Sequence, residues 1–132
     1  ICDERFEIAF THTSDSKEFI RSYVNDHHTK DGGTHHDAFH EALSYALSRC
    51  FNKKITTKQC TLGLVAIIKL NIQWPIFANA GKDILGSRHM WYDAEGNHGP
   101  TIYETFKKAL LNAISDNGDV LTELEAIWER FE

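Results

Sequence analysis

Proline occurs only twice and methionine once in the 132 residues, and cysteine three times, at Cys2, Cys50 and Cys60. The cysteines are odd in number and form no CxxC pair, so neither a zinc knuckle nor a disulfide framework is indicated, and they read as reduced thiols of a cytosolic protein. No apolar run approaches the length of a membrane span, and no secretory signal is visible. Excess positive charge is also missing. The net charge is -5, which argues against a surface built mainly to hold nucleic acid. What remains is a chain of the size and mixed composition of one globular domain, expected over 1–132, beginning almost at once in a strand pattern: either the domain is compact from its first residue or the chain is a piece cut from a longer one.

Periodicity supplies the elements. Phe6, Ile8 and Phe10 alternate with polar neighbours, so a half-buried strand is expected near 5–13. A second, near 18–25, follows the turn signal at 14–16 and is expected to pair with the first as a hairpin. Gly32-Gly33 then leads into a helix over 34–51, with Phe39, Leu43, Ala46, Leu47 and Cys50 at helical spacing. Thr34 with Asp37 three residues on fits a capping box. The polar stretch 52–60 has room for a short helical turn. Residues 62–74 are apolar through Ile68 and then alternate, as for a strand buried on both faces at its start. Residues 87–99 read as irregular and turn-rich around Glu95-Gly96. Pro100 suits the first position of a helix over 100–116, and Val120, Leu124, Ile127, Trp128 and Phe131 make a last one. The order β-β-α-β-α-α describes an α/β or α+β sandwich: one sheet with helices on one face.

Three groups of residues have chemistry to offer. Five of the eight histidines fall between 27 and 40. His36 and His40, at i and i+4, share a helix face that could supply two metal ligands. Only the loop histidines are near enough to supply a third and fourth ligand, and the expectation is a polar helix face with no structural metal. Gly32-Gly33 opens a helix N-terminus, which favours an anion or simply makes a tight turn; the turn is the expected role. Lys82 stands alone on "PIFANAGKDILGS" (75–87) between Gly81 and Gly86. A lysine on such a loop is either solvated or a mobile cation for a polyphosphate.

Together these stretches resemble a known family. "YVNDHHTKDGGTHHDAFHEALSYAL" is similar to the segment of bacterial gyrase and topoisomerase IV B subunits that reads serine-phenylalanine-valine-asparagine, then threonine-x-x-glycine-glycine-threonine-histidine, then a helix. Ser22, Tyr23, Val24, Asn25, Thr29, Gly32, Gly33, Thr34, His35, Phe39, Ala42 and Leu43 carry the match. "GLVAIIKLNIQWPIFANAGKDILGS" resembles the strand and loop that follow in that family, through Gly63, Leu64, Ala66, Ile68, Pro75, Phe77, Lys82, Leu85 and Gly86. The resemblance implies the transducer domain of a type II DNA topoisomerase B subunit. Its fold is α+β, ribosomal protein S5 domain 2-like, with one mixed sheet packed on one face by helices. Lys82 would reach the γ-phosphate of ATP, with Mg2+, in a neighbouring N-terminal ATP-binding domain of the same chain, as both the catalytic and the cofactor-binding residue. Gly81 and Gly86 would let the loop move. The implied partners are that domain, a second B subunit, the A subunit and DNA, in the cytoplasm. The resemblance does not separate gyrase from topoisomerase IV. This sequence departs from the family in three places. Ala80-Gly81 replaces a glutamine-threonine pair, Asn71 replaces a strand lysine, and 88–99 looks like an insertion. The alternative these departures permit is a non-enzymatic S5-like interaction module that has lost nucleotide sensing.

Overall fold

The computed structural model describes the chain except for residues 1, 4, 14–16, 73–75, 78–80, 82–83, 92, 116–117, 119–120, 123 and 126–132. Five strands form one sheet: β1 (Cys2–Asp3), β2 (Phe6–His12), β3 (Phe19–Val24), β4 (His27–His28) and β5 (Leu64–Leu70). Their order across the sheet is β1-β2-β5-β3-β4. β5 runs antiparallel to β2, from Phe6 opposite Leu70 to His12 opposite Leu64. It runs parallel to β3, from Phe19 opposite Val65 to Val24 opposite Leu70. The sheet is therefore mixed, as expected, but the first two long strands do not form a hairpin. β5 lies between them, because its apolar side chains bury more when it is paired on both edges than at an edge.

One hairpin joins β3 to β4. Its two central residues, Asn25 and Asp26, hold φ of 51° and 68°, the sign that a tight two-residue hairpin turn of the I′ kind needs and that Asn and Asp tolerate.

Three helices complete the described elements: α1 (Thr34–Phe51), α2 (Thr57–Cys60) and α3 (Ile102–Ser115). α1 packs along α3. α3 buries Ile102, Phe106, Leu110 and Ile114, one stripe at i, i+4 spacing. Phe106 meets Phe6 of β2 with ring centroids 5.9 Å apart, and Phe39 of α1 meets Phe10 at 6.1 Å. The core thus lies between one sheet face and the two long helices. α2 is the short helical turn expected after residue 52, closed by a capping box between Thr56 and Gln59. Burial pushes the Cys60 thiol beside it up to about 12, so it stays protonated and unreactive.

On the other sheet face Glu7, Ala9, Thr11, Phe19, Arg21, Ile67 and Lys69 are exposed. Ile67 is 45% exposed, so β5 is not buried on both faces at its start. No described element covers that side, and the strand alternates throughout. Residues 87–99 form no regular element and turn at 94–96, as expected, but the two arms of the stretch pair. Met90 N donates to Pro100 O at 2.9 Å and Gly99 N to Trp91 O at 3.0 Å, beside an antiparallel bridge between His89 and Thr101. This hairpin buries Met90 in the core. At its tip the Asp93 carboxylate accepts from Asn97 Nδ2 at 3.0 Å and from the backbone N–H groups of Glu95 and Asn97. Of the last expected helix, Leu121, Thr122, Leu124 and Glu125 are helical and Leu124 is buried; Val120, Ile127, Trp128 and Phe131 lie outside the described residues. No described helix is long and apolar enough to cross a membrane.

Candidate functional site

β5 does not stop at its last ladder bond. The side chain of Asn25 copies a strand backbone, donating from Nδ2 to Ile72 O at 2.9 Å and accepting at Oδ1 from Ile72 N at 2.8 Å. Asn25 N also donates to Leu70 O at 2.8 Å. The chain leaving the sheet is held at both polar atoms before it enters the loop that carries Lys82.

The two ends of that loop meet. Gly86 N and Ser87 N donate to Ile76 O at 2.8 and 3.1 Å, and Phe77 bridges Leu85 antiparallel. The Ser87 hydroxyl oxygen accepts from Ile76 N at 2.7 Å. These contacts form a closed neck. Lys82, the one site residue read from the sequence, lies outside the described residues, in the stretch that the neck closes.

The neck is docked on the turn that opens α1. Leu85 N donates to Gly32 O at 3.0 Å, and Thr34 N donates to Leu85 O at 2.9 Å. Gly33, with φ of 128°, forms a parallel bridge to Leu85. A Cβ at Gly33 would stand 2.9 Å from the Leu85 carbonyl carbon, with the Leu85 nitrogen and oxygen closer still. Only glycine permits this approach. Gly33 is the N-cap of α1, and no side chain caps the helix. The capping box expected of Thr34 and Asp37 does not form, because the helix begins at Thr34 itself, whose hydroxyl donates instead to the Ser87 carbonyl. The Leu85 carbonyl takes the Thr34 N–H at the helix N-terminus. The glycine pair is therefore a turn that receives a chain segment.

The first turn of α1 is also tied to the sheet. His35 Nε2 lies 2.9 Å from Thr29 Oγ1, which lies 2.7 Å from Ser22 Oγ, which lies 2.6 Å from His36 Nε2. His35 is fully buried, and its Nδ1 has no partner among the described residues. Burial, with His36 beside it, lowers its pKa to about 3, so the ring is neutral. His36 is shifted down too, chiefly by burial and then by His40, against a raising effect of Asp37. His36 and His40 do not converge on a common point: His36 faces Ser22, while His40 Nε2 lies 3.1 Å from Glu18. Among the described residues no group of three histidine, cysteine or acidic side chains could hold a metal ion.

The sequence brought Lys82 and the glycine pair to notice separately; the structure joins the segments on either side of Lys82 to that pair. Ser87, Thr29 and Ser22 were not singled out for a role, since short hydroxyl side chains carry no periodic signal. Asn25-Asp26 did carry one, as a tight-turn dipeptide.

A family model described as DNA gyrase B matches residues 2–124. The chain belongs to the DNA gyrase B family. Among curated family members, the B subunit of DNA topoisomerase 4 from Borreliella burgdorferi is 37% identical over 81 residues, 61% of this chain and 14% of that protein. The B subunit of DNA gyrase from Mycoplasmoides gallisepticum is 36% identical over 90 residues, covering 61% of this chain and 14% of the relative. The chain thus spans about a seventh of the length of these gyrase-family relatives. The 43K ATPase domain of Thermus thermophilus gyrase B, solved with an aminocoumarin, superposes with a TM-score of 0.68 at 26% identity, over 94% of this chain and 32% of that one. The topoisomerase IV ATP-binding domain of Francisella tularensis gives 0.70 at 20% identity, over 96% and 36%; at that identity the likeness is one of fold.

Proposed function

We propose that this chain is the transducer region of the B subunit of an ATP-dependent type II DNA topoisomerase, and that Lys82 is its γ-phosphate sensor. On this reading ATP and Mg2+ are bound mainly by an N-terminal ATP-binding domain of the same polypeptide, and Lys82 reaches in from outside. The chain passes the state of the nucleotide to a B-subunit dimer working with the A subunit on DNA in the cytoplasm. The observation that carries the reading is the neck at Ile76 and Leu85–Ser87, docked on the Gly32–Thr34 turn. It supplies a fixed base for a loop whose one lysine is the kind of point charge that suits a terminal phosphate. The residues present fit ATP only in that limited way. The helix N-terminus, which could otherwise cradle phosphate, holds the Leu85 carbonyl, so the rest of the nucleotide site must come from another domain.

The test is Lys82→Ala in the complete subunit. Removing a charge-assisted contact to a developing phosphate charge costs about 2–4 kcal/mol of transition-state stabilisation, so steady-state ATP turnover should fall by about thirty-fold or more. Asn79→Ala is the control and should change little. Unchanged turnover in Lys82→Ala would sink the sensor reading. It would favour an interaction module of the same fold, which Ala80-Gly81 in place of glutamine-threonine already permits.

A further inference from the structure

We propose that Thr34 and Ser87 are positioning residues for the Lys82 loop, linking its neck to the first turn of α1. The proposal rests on the reading of Lys82 as the sensor. A threonine in the first turn of a helix ordinarily caps that helix or faces water. Here the Thr34 hydroxyl leaves its own helix and donates to the Ser87 carbonyl. Ser87 is 2% exposed, and its own hydroxyl accepts from Ile76 N at 2.7 Å. One buried residue therefore joins the helix start to both ends of the loop. Gly33 lets the two chain segments come close enough for this.

The opposite side of the same helical turn is fixed as well. His36 and His35 reach Ser22 and Thr29, on β3 and just beyond β4. The first turn of α1 sits between two anchored neighbours, and a displacement of the neck is carried into α1 through part-buried hydrogen bonds. Coupling of this kind needs a contiguous set of packed groups, and the path from Ile76 through Ser87 and Thr34 to α1 is one. Thr34 and Ser87 act by holding the two ends of the segment that carries Lys82.

Two measurements separate this inference from the one on which it rests. The first is amide hydrogen exchange of the 132-residue chain in Thr34→Val, which keeps the shape of threonine and removes the donor. Exchange at Leu85, Gly86 and Ser87 should speed up by about tenfold or more, as expected for one buried hydrogen bond lost, while the α1 core from Phe39 to Leu47 keeps its protection. Thr34→Ser should restore the slow exchange. If Thr34→Val does not fold, Ser87→Ala carries the same test through the Ile76 N–H without touching the helix. Unchanged exchange at Leu85–Ser87, or an equal rise throughout α1, overturns the positioning role. The second is a double-mutant cycle in the complete subunit. Thr34→Val should lower kcat for ATP by about tenfold in the parent and add nothing when Lys82 is already alanine. Full additivity of the two substitutions overturns the inference, whereas loss of any Lys82→Ala effect overturns the sensor reading alone.

Discussion

Gly33 is the residue at which the turn and the loop come closest. Gly33→Ala would put a methyl group into the Leu85 main chain at a φ of 128°, and backbone cannot swing aside as a side chain end can. A loss of about 2 kcal/mol or more is expected from the strained φ and the clash together, measurable as a lower urea midpoint. His35 gives a second residue-scale prediction. Its pKa falls from 6.5 in the unfolded chain to about 3 in the native one. Between those values the unfolded chain binds a proton that the native chain refuses. Stability is unaffected above about pH 6.5, falls as the pH drops below it, and stops falling near pH 3. At about 1.4 kcal/mol per pH unit, the loss from pH 6.5 to about pH 5 is on the order of 2 kcal/mol. Denaturant melts of His35→Gln should show a flatter slope over that interval, whatever the variant does to the midpoint; an unchanged slope would exclude His35 as the source. A tight turn at Gly32-Gly33 was legible from the residues. That it receives Leu85 was not, because hydrogen bonds between main chains distant in sequence leave no side-chain pattern.

At the scale of elements, local periodicity served the helices well. The expected 34–51 is α1 to the residue, and 100–116 contains α3, since an apolar stripe at 3.6-residue spacing depends on the element's own sequence. Strand partners depend on other elements. The expected hairpin of β2 with β3 failed because β5, from far along the chain, offers both of them a better edge. The reading of 87–99 as irregular and turn-rich held at the turn over 94–96 but left out the pairing of its two arms. The turn at the polar tip is held by one carboxylate, whose pKa lies below the ordinary range mainly through the Asn97 side-chain hydrogen bond. Asp93→Ala should therefore free the amides of Glu95 and Asn97 to exchange, with no measurable shift of the thermal midpoint, because the tip is exposed while Met90 at the base stays in the core. A large drop in the midpoint would mean that the tip supports the whole domain.

For the whole molecule, stability is concentrated in one layer between sheet and helices. Phe106 is fully buried against Phe6, in the stripe by which α3 packs on α1 and the sheet. Phe106→Ala should cost about 3–5 kcal/mol, read as a fall in denaturant midpoint with the slope of the transition unchanged. A loss under about 1 kcal/mol would mean the layer re-packs freely. The layered α+β architecture followed from the order of elements and from the family resemblance. The open sheet face did not, because Ile67 lies in an apolar run that reads as buried although it is 45% exposed, and Phe19 beside it on that face is 59% exposed.

The placement of β5 between β2 and β3 also sets a timetable. On a ribosome β2 and β3 leave the exit tunnel long before their common neighbour, since His12 pairs with Leu64. At about 5–20 residues per second, the interval between those two residues is on the order of 3–10 s. For that time β2 and β3 have only their two-residue partners β1 and β4, and each offers its other edge, unpaired, to other nascent chains. Synthesis rate therefore sets how long these edges wait for β5.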